Sequence, residues 1–210
     1  MQSITGLGSL STLFVYPQPD LDNYKVEYLD NGDFVSFAGT RTIGYPYIPV
    51  SLRKITASYT FKTRTDFQTL NSFYKFTNGQ LSRFWLACWS QEFNLAQNVN
   101  ANDPYIMVSF SQLTTKNDTN LRFFIITKEG DLIIRKVTSY EVETTGYERV
   151  MLDTAMPIGL NITDVVFFGR LILARHASDF VVKIQRADGE DMIGQVNLVY
   201  QEVPYEYSEV

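Results

Sequence analysis

Residues 65–95 read TDFQTLNSFYKFTNGQLSRFWLACWSQEFNL, and this stretch decides the fold. Its first half predicts a short amphipathic helix over 66–78. Thr65 can cap it, Asp66 sits against the positive end, and Gly79 suits the C′ position. Phe67, Leu70, Phe73 or Tyr74, and Thr77 recur at helical spacing, which gives one apolar stripe of the kind that packs on a sheet. The second half is an apolar strand carrying Phe84, Trp85, Trp89 and Phe93, and it holds both tryptophans of the chain. Trp85, Trp89 and Phe93 are expected to bridge the helix and the sheet. Arg83, next to Phe84-Trp85, is a residue type that anchors interfaces.

Outward from this stretch, strand signals dominate. KITASYTFK (54–62) alternates strictly, with Ile55, Ala57, Tyr59 and Phe61 on one face and Lys54, Thr56, Ser58, Thr60 and Lys62 on the other. That pattern predicts a half-buried antiparallel strand. Asn31-Gly32 is expected to join YKVEYLD to DFVSFAG in a hairpin, and Asp188-Gly189 to join DFVVKIQRA to DMIGQVNLVY. Glu129-Gly130 marks a third hairpin between RFFIITK and DLIIRKV. Tyr105–Phe110, Val165–Arg175 and Gln195–Tyr200 add strands. The expected fold is mainly β, an antiparallel sandwich or barrel with one short helix. The loop 97–104 (QNVNANDP) is the best boundary, dividing an arm (1–23) and an N-terminal β half with the helix (24–100) from a C-terminal β half (101–210).

The chain has 210 residues, 45% of them apolar and 14% aromatic, enough for a large core without disulfide or metal staples. Cys88 is the single cysteine, so it builds neither an intrachain disulfide nor a multi-thiolate metal site, and its apolar neighbours predict a buried, inert thiol. The N-terminal residues lack the charged and apolar regions of a signal peptide, and no apolar run is long enough to span a bilayer. A soluble protein made in a reducing cytoplasm is expected, with no membrane insertion.

Eighteen basic against 23 acidic residues give a net charge of −5. Phosphate binding needs concentrated Lys and Arg, so specific nucleic-acid binding is not expected. The densest basic spots, Arg53-Lys54 and Arg135-Lys136, read as solvated strand faces. His176 is the sole histidine, so any Ser-His-Asp or Cys-His arrangement would have to pass through it. Its setting, ARHASD, predicts an exposed turn with no catalytic role. The acid pairs Glu190-Asp191 and Glu141/Glu143 read as solvated charge, although a glycosidase needs only two acids. Gly6 opens GLGSLS without the strand, helix and lysine of a phosphate loop. The sequons at Asn117 and Asn161 read as chance matches. Hence no catalytic, cofactor-binding or metal residue is expected, and no enzyme. The abundant rings serve mostly as core, with a carbohydrate-binding platform as the alternative use. Tyr205 and Tyr207, in the tail PYEYSEV, read as interface residues.

The order of these features resembles a family of bacteriophage tail proteins from long-tailed phages. The resemblance runs over roughly 24–207. It rests on Gly39-x-Arg41, then PYIPVSLRKITASYTF (46–61), the helix, and Gly79-Gln80-Leu81 leading into RFWLACWSQEFNL (83–95). In the second half it rests on Leu121-Arg122-Phe123-Phe124, Gly130, Asp164–Phe168 leading to Leu171–Arg175, Asp179, and a strand Val196–Val203 ending in Pro204-Tyr205-Glu206-Tyr207. The resemblance implies a structural virion protein of the tail tip or baseplate, similar to distal tail and hub proteins. Such a protein is made in the bacterial host and carried in the virion tail. It forms a ring of its own copies that connects the tail tube to hub, fibre or receptor-binding proteins.

Overall fold

The alternation of residues 54–62 is fulfilled in a twelve-residue strand, Leu52–Thr63, whose Ile55, Ala57, Tyr59 and Phe61 are buried while Thr60 and Lys62 are exposed. The computed structural model of the chain describes residues 4–5, 13–15, 17–29, 32–37, 41–46, 52–109, 121–144, 146–188 and 191–203. Its strands are β1 (Ile4–Thr5), β2 (Leu13–Phe14), β3 (Lys25–Leu29), β4 (Gly32–Phe37), β5 (Arg41–Pro46), β6 (Leu52–Thr63) and β7 (Phe84–Ala87). They continue with β8 (Tyr105–Ser109), β9 (Arg122–Thr127), β10 (Leu132–Thr144), β11 (Tyr147–Leu152), β12 (Val165–His176), β13 (Val182–Asp188) and β14 (Asp191–Glu202). One α-helix, α1 (Arg64–Phe76), follows β6 directly. The fold is mainly β and antiparallel with one helix, as expected. Among the described residues the strands do not close into a barrel, and the arrangement is sandwich-like.

The chain divides into two compact units, residues 1–14 with 85–172 and residues 15–84 with 173–210. Both are discontinuous in sequence, so the division expected at loop 97–104 is not where the structure separates. That loop instead belongs wholly to the first unit, where Val99 is buried and bridged to Leu160. A local composition shift marks a loop, whereas a unit is defined by long-range strand pairing, which local composition does not record.

In the unit containing 85–172, the leading part of β12 pairs with β9, β9 with β10, β10 with β11, and β11 with β8, all antiparallel. β1 lies parallel on β10, and β2 lies parallel on β7. The core includes Ile106, Val108, Leu121, Phe123, Ile125, Ile133, Val137, Val150 and Phe168. The β9–β10 hairpin forms as read, with a three-residue loop in which Gly130 takes the positive φ and Asp131 N–H donates to Thr127 Oγ1. Arg135, expected on a solvated face, is buried. Its guanidinium donates to the carbonyls of Ala155 and Ile134, which satisfy the charge inside.

In the unit containing 15–84 and 173–210, β14 pairs with β6 along one side and with β13 and the end of β12 along the other. β3 pairs with the far side of β6, giving the order β3, β6, β14, β13. The β13–β14 hairpin is present, and its turn residues 189–190 lie outside the described residues. The hairpin expected across Asn31-Gly32 is corrected. β3 is taken by the long edge of β6 and β4 pairs with β5, while residues 30–31 lie outside the described residues.

Helix α1 starts and ends two residues earlier than the sequence pattern suggests, at Arg64 and Phe76. Thr63 is the N-cap, and a reciprocal capping box joins its side chain and backbone to Asp66 at N3. The cap thus belongs to Thr63, not Thr65, because Asp66 works better as the returning carboxylate than as the first helical residue. At the other end Asn78 N–H donates to Lys75 O and Gly79 N–H to Tyr74 O, both residues with positive φ. This is a Schellman closure in which Asn78 holds C′ and Gly79 the next position. Arg53, also expected on a solvated face, is buried beneath the β3–β6 pair, with its guanidinium 5.7 Å from the Tyr28 ring.

Gly194 on β14 passes close to Phe61, and a Cβ there would fall on that ring and 2.7 Å from the Lys183 carbonyl oxygen. Gly194→Ala is therefore expected to lower stability by about 1–3 kcal/mol in urea denaturation, with strand content by circular dichroism unchanged.

Candidate functional site

Extended backbone sends successive side chains to opposite faces, so Phe84 and Trp85 cannot share one set of partners. Phe84, buried, meets Phe73 of α1 edge to face at 5.0 Å and 88°. Phe84 is thus the residue of this segment whose ring meets the helix. Trp85, Trp89 and Phe93, expected to bridge helix and sheet, pack their rings within the other unit. Arg122 lies over the Trp85 ring at 5.0 Å. Trp89 is held by Phe167 at 5.0 Å and Phe124 at 5.6 Å, and Phe93 by Phe168 at 5.2 Å. Both indoles are only 7% exposed, so their surface is spent on this chain's own core. Cys88 is fully buried beside Ser90, as the sequence suggests. Arg170 donates from Nε to Glu92 at 3.1 Å while its guanidinium lies over Phe93, an ion pair set against a ring. Arg83 is exposed, and Tyr205 and Tyr207 lie outside the described residues.

His176 is not at an exposed turn. It is the last residue of β12, 1% exposed, with Arg175 outside and Ala174 inside. The alternation Ala174, Arg175, His176 was the available signal, since a strand that continues past its apolar run turns every second residue inward. Tyr74 lies 4.7 Å from the imidazole, Phe84 4.9 Å, Tyr200 5.2 Å and Phe73 6.0 Å, centroid to centroid. Burial pushes its pKa down from 6.5 to about 4. Next to it, the Tyr200 hydroxyl donates to the Tyr59 hydroxyl at 3.0 Å, and burial raises both phenols. A neutral imidazole enclosed by rings has no path to a substrate proton.

The acids of interest are dispersed. Glu141 is exposed and pairs with Arg149 at 3.6 Å, Asp191 is exposed, and Glu190 and the Glu143 side chain lie outside the described residues. Among the described residues no three His, Cys, Asp or Glu side chains gather as a metal site would require. No helix among them is long and apolar enough to cross a membrane.

The surface features that stand out are the two edges of the β3-β6-β14-β13 sheet. Among the described residues β3 pairs only with β6, and β13 only with β14. The β3 edge exposes Tyr28 (62%), and the β13 edge exposes Val181 (64%) and Ile184 (54%), with Lys183 and Arg186 between and after them. A register shift after Ile184 bulges β13 and limits its straight portion to Val182–Ile184. These edge residues were not singled out from sequence. Val181, just before β13, and Ile184 are three apart and so turn to opposite faces of an extended chain, which leaves no one-faced apolar pattern to read until the pairing is known.

No protein-family model matches the chain, and no curated protein sequence matches it.

Trp89→Ala is expected to cost about 3 kcal/mol or more, because it removes the indole packed against the stacked Phe124 and Phe167 rings and leaves a cavity. Chemical denaturation of the full chain reads this directly, and a loss under about 1 kcal/mol would contradict the packing role.

Proposed function

We propose that this chain is a structural subunit of a phage tail tip or baseplate. Its copies assemble head to tail into a ring that joins the tail tube to hub or receptor-binding proteins. The observation that carries this reading is that, among the described residues, one sheet ends in two strands that are each paired on one side only. β3 and β13 are different surfaces at opposite ends of one strand order, and each shows exposed apolar side chains. A contact between two unlike edges is heterologous, and heterologous contacts propagate into closed rings or filaments rather than ending at a dimer. Lys183 and Arg186 on the β13 edge guard against indiscriminate strand addition, while Val181 and Ile184 leave an apolar contact for a matched partner. The resemblance in element order supplies the setting, and a net charge of −5 suits a ring around a DNA conduit that must not bind the DNA.

The carbohydrate-platform alternative loses both tryptophans, which are buried, and would have to rest on Tyr28, Phe76 or Tyr147, the large exposed rings among the described residues. The single histidine is enclosed, which disfavours chemistry routed through an imidazole.

Purified full-length protein is expected to sediment as one closed multiple of the 24.1 kDa chain and to show rings by negative-stain microscopy. Val181→Lys with Ile184→Lys is expected to shift the population to monomer while leaving thermal stability within about 0.5 kcal/mol, the usual range for surface changes. A wild type that stays monomeric at tens of micromolar, or a double variant that assembles normally, would overturn the proposal.

A further inference from the structure

His176 occupies a position where a phenylalanine would pack as well and cost less. Rings from three elements close around it: Phe73 and Tyr74 from α1, Phe84 from β7 and Tyr200 from β14. Neither Nδ1 nor Nε2 has a hydrogen-bond partner among the described residues, although both are buried. An imidazole N–H without an acceptor is a standing penalty. The second penalty is larger and conditional, because a proton added to the ring creates a charge with two N–H donors and nothing to receive them.

The groups that face the imidazole are few. From α1 the titratable one is Tyr74, whose hydroxyl donates to the Ser178 carbonyl oxygen at 3.4 Å. From β14 it is Tyr200, which leans on Tyr59 of β6. Phe73 and Phe84 bring no titratable atom. The charged side chains of the surrounding elements, Lys75, Arg83, Arg175 and Asp179, are exposed, and Asp179 is bound by Gln80. Among the described residues no carboxylate is shown bonded to the imidazole.

We propose that His176 is the proton-sensing element of an acid latch, in which protonation of its imidazole drives α1 off the sheet of its own unit. The helix is the part that yields because of how each ring is held. Phe84 and Tyr200 lie in strands anchored by backbone ladders, whereas Phe73 and Tyr74 reach the sheet through their side chains, by ring contacts and the hydrogen bond from the Tyr74 hydroxyl to the Ser178 carbonyl. Leu70 is the single fully buried side chain of α1, and Phe67 adds ring contacts to Phe61 and Phe180. Withdrawing α1 lets water reach both nitrogens and leaves the β6–β14 ladder intact.

The sign follows from burial. The folded imidazole binds its proton only near pH 4, whereas the unfolded one does so near 6.5. The stabilising contribution is therefore whole above pH 6.5, declines as the pH falls, and is gone below about 4. Between pH 7 and 5 the folding equilibrium constant is expected to fall roughly twentyfold from this group, in a window above most carboxylate titrations.

The experiment uses the full chain. His176 is the only histidine, so its ring resonance is unambiguous in a proton NMR titration. The expected result is no ordinary midpoint near 6.5 while the protein stays folded, together with faster amide exchange over residues 64–76 at pH 5 than at pH 7 after correction for intrinsic rates. Amides of β6 and β14 should keep their protection. His176→Phe is expected to remove the twentyfold decline in urea denaturation between pH 7 and 5. A folded-state midpoint near 6.5, a decline unchanged in His176→Phe, or loss of protection in β6 and β14 together with α1 would overturn the latch. The titration and exchange measurements need no variant, so they decide the matter even if His176→Phe fails to fold.

Discussion

Strand β14 is hydrogen-bonded along both sides, and that double pairing places everything else in its unit. β6 runs along one side over most of its length, while β13 and the end of β12 share the other. Its alternation sends Met192, Gly194, Val196, Leu198 and Tyr200 to the buried face. A one-residue slip would exchange that whole set for Ile193, Gln195, Asn197 and Val199, so the register is strongly fixed. Once it is fixed, Tyr200 meets Tyr59 and His176, Gly194 makes room for Phe61, and α1 has a surface on which to lay Leu70, Phe67 and Phe73. β3 and β13 are left as the edges because β14 and β6 occupy the middle.

Part of this was legible in the sequence. The 54–62 alternation gave β6 correctly because one face is buried and the other is wet. The β9–β10 and β13–β14 hairpins followed from turn chemistry, and the existence of α1 from its apolar stripe. The errors have physical causes. Asn31-Gly32 is a good turn signal, but among the described residues β3 pairs with β6 and β4 with β5. Thr63 and Thr65 are equally plausible caps until the position of Asp66 decides between them. His176 and Arg135 were assigned outward from their polarity, whereas strand alternation, with backbone carbonyls in the case of Arg135, carries them inward. Trp85, Trp89 and Phe93 were assigned to the helix by proximity in sequence, although Phe84 alone of that segment turns its ring to α1 among the contacts described.

The same distinction bears on function. In the segment with the richest interface composition, 84–93, the rings of Phe84, Trp85, Trp89 and Phe93 are buried in this chain's own packing. Among the described residues, β3 and β13 each pair on one side only, and the proposed association uses those sides. They are not visible in a linear reading, because being an edge is a property of the sheet and not of any strand.

The most direct test of that account is amide hydrogen exchange across the β3-β6-β14-β13 sheet, compared between dilute and concentrated protein. If copies join through their unlike edges, amides of β3 and of Val182–Ile184 gain protection on concentration, while those of β6 and β14 are protected throughout. Protection gained elsewhere on the chain, with both edges unchanged, would contradict it.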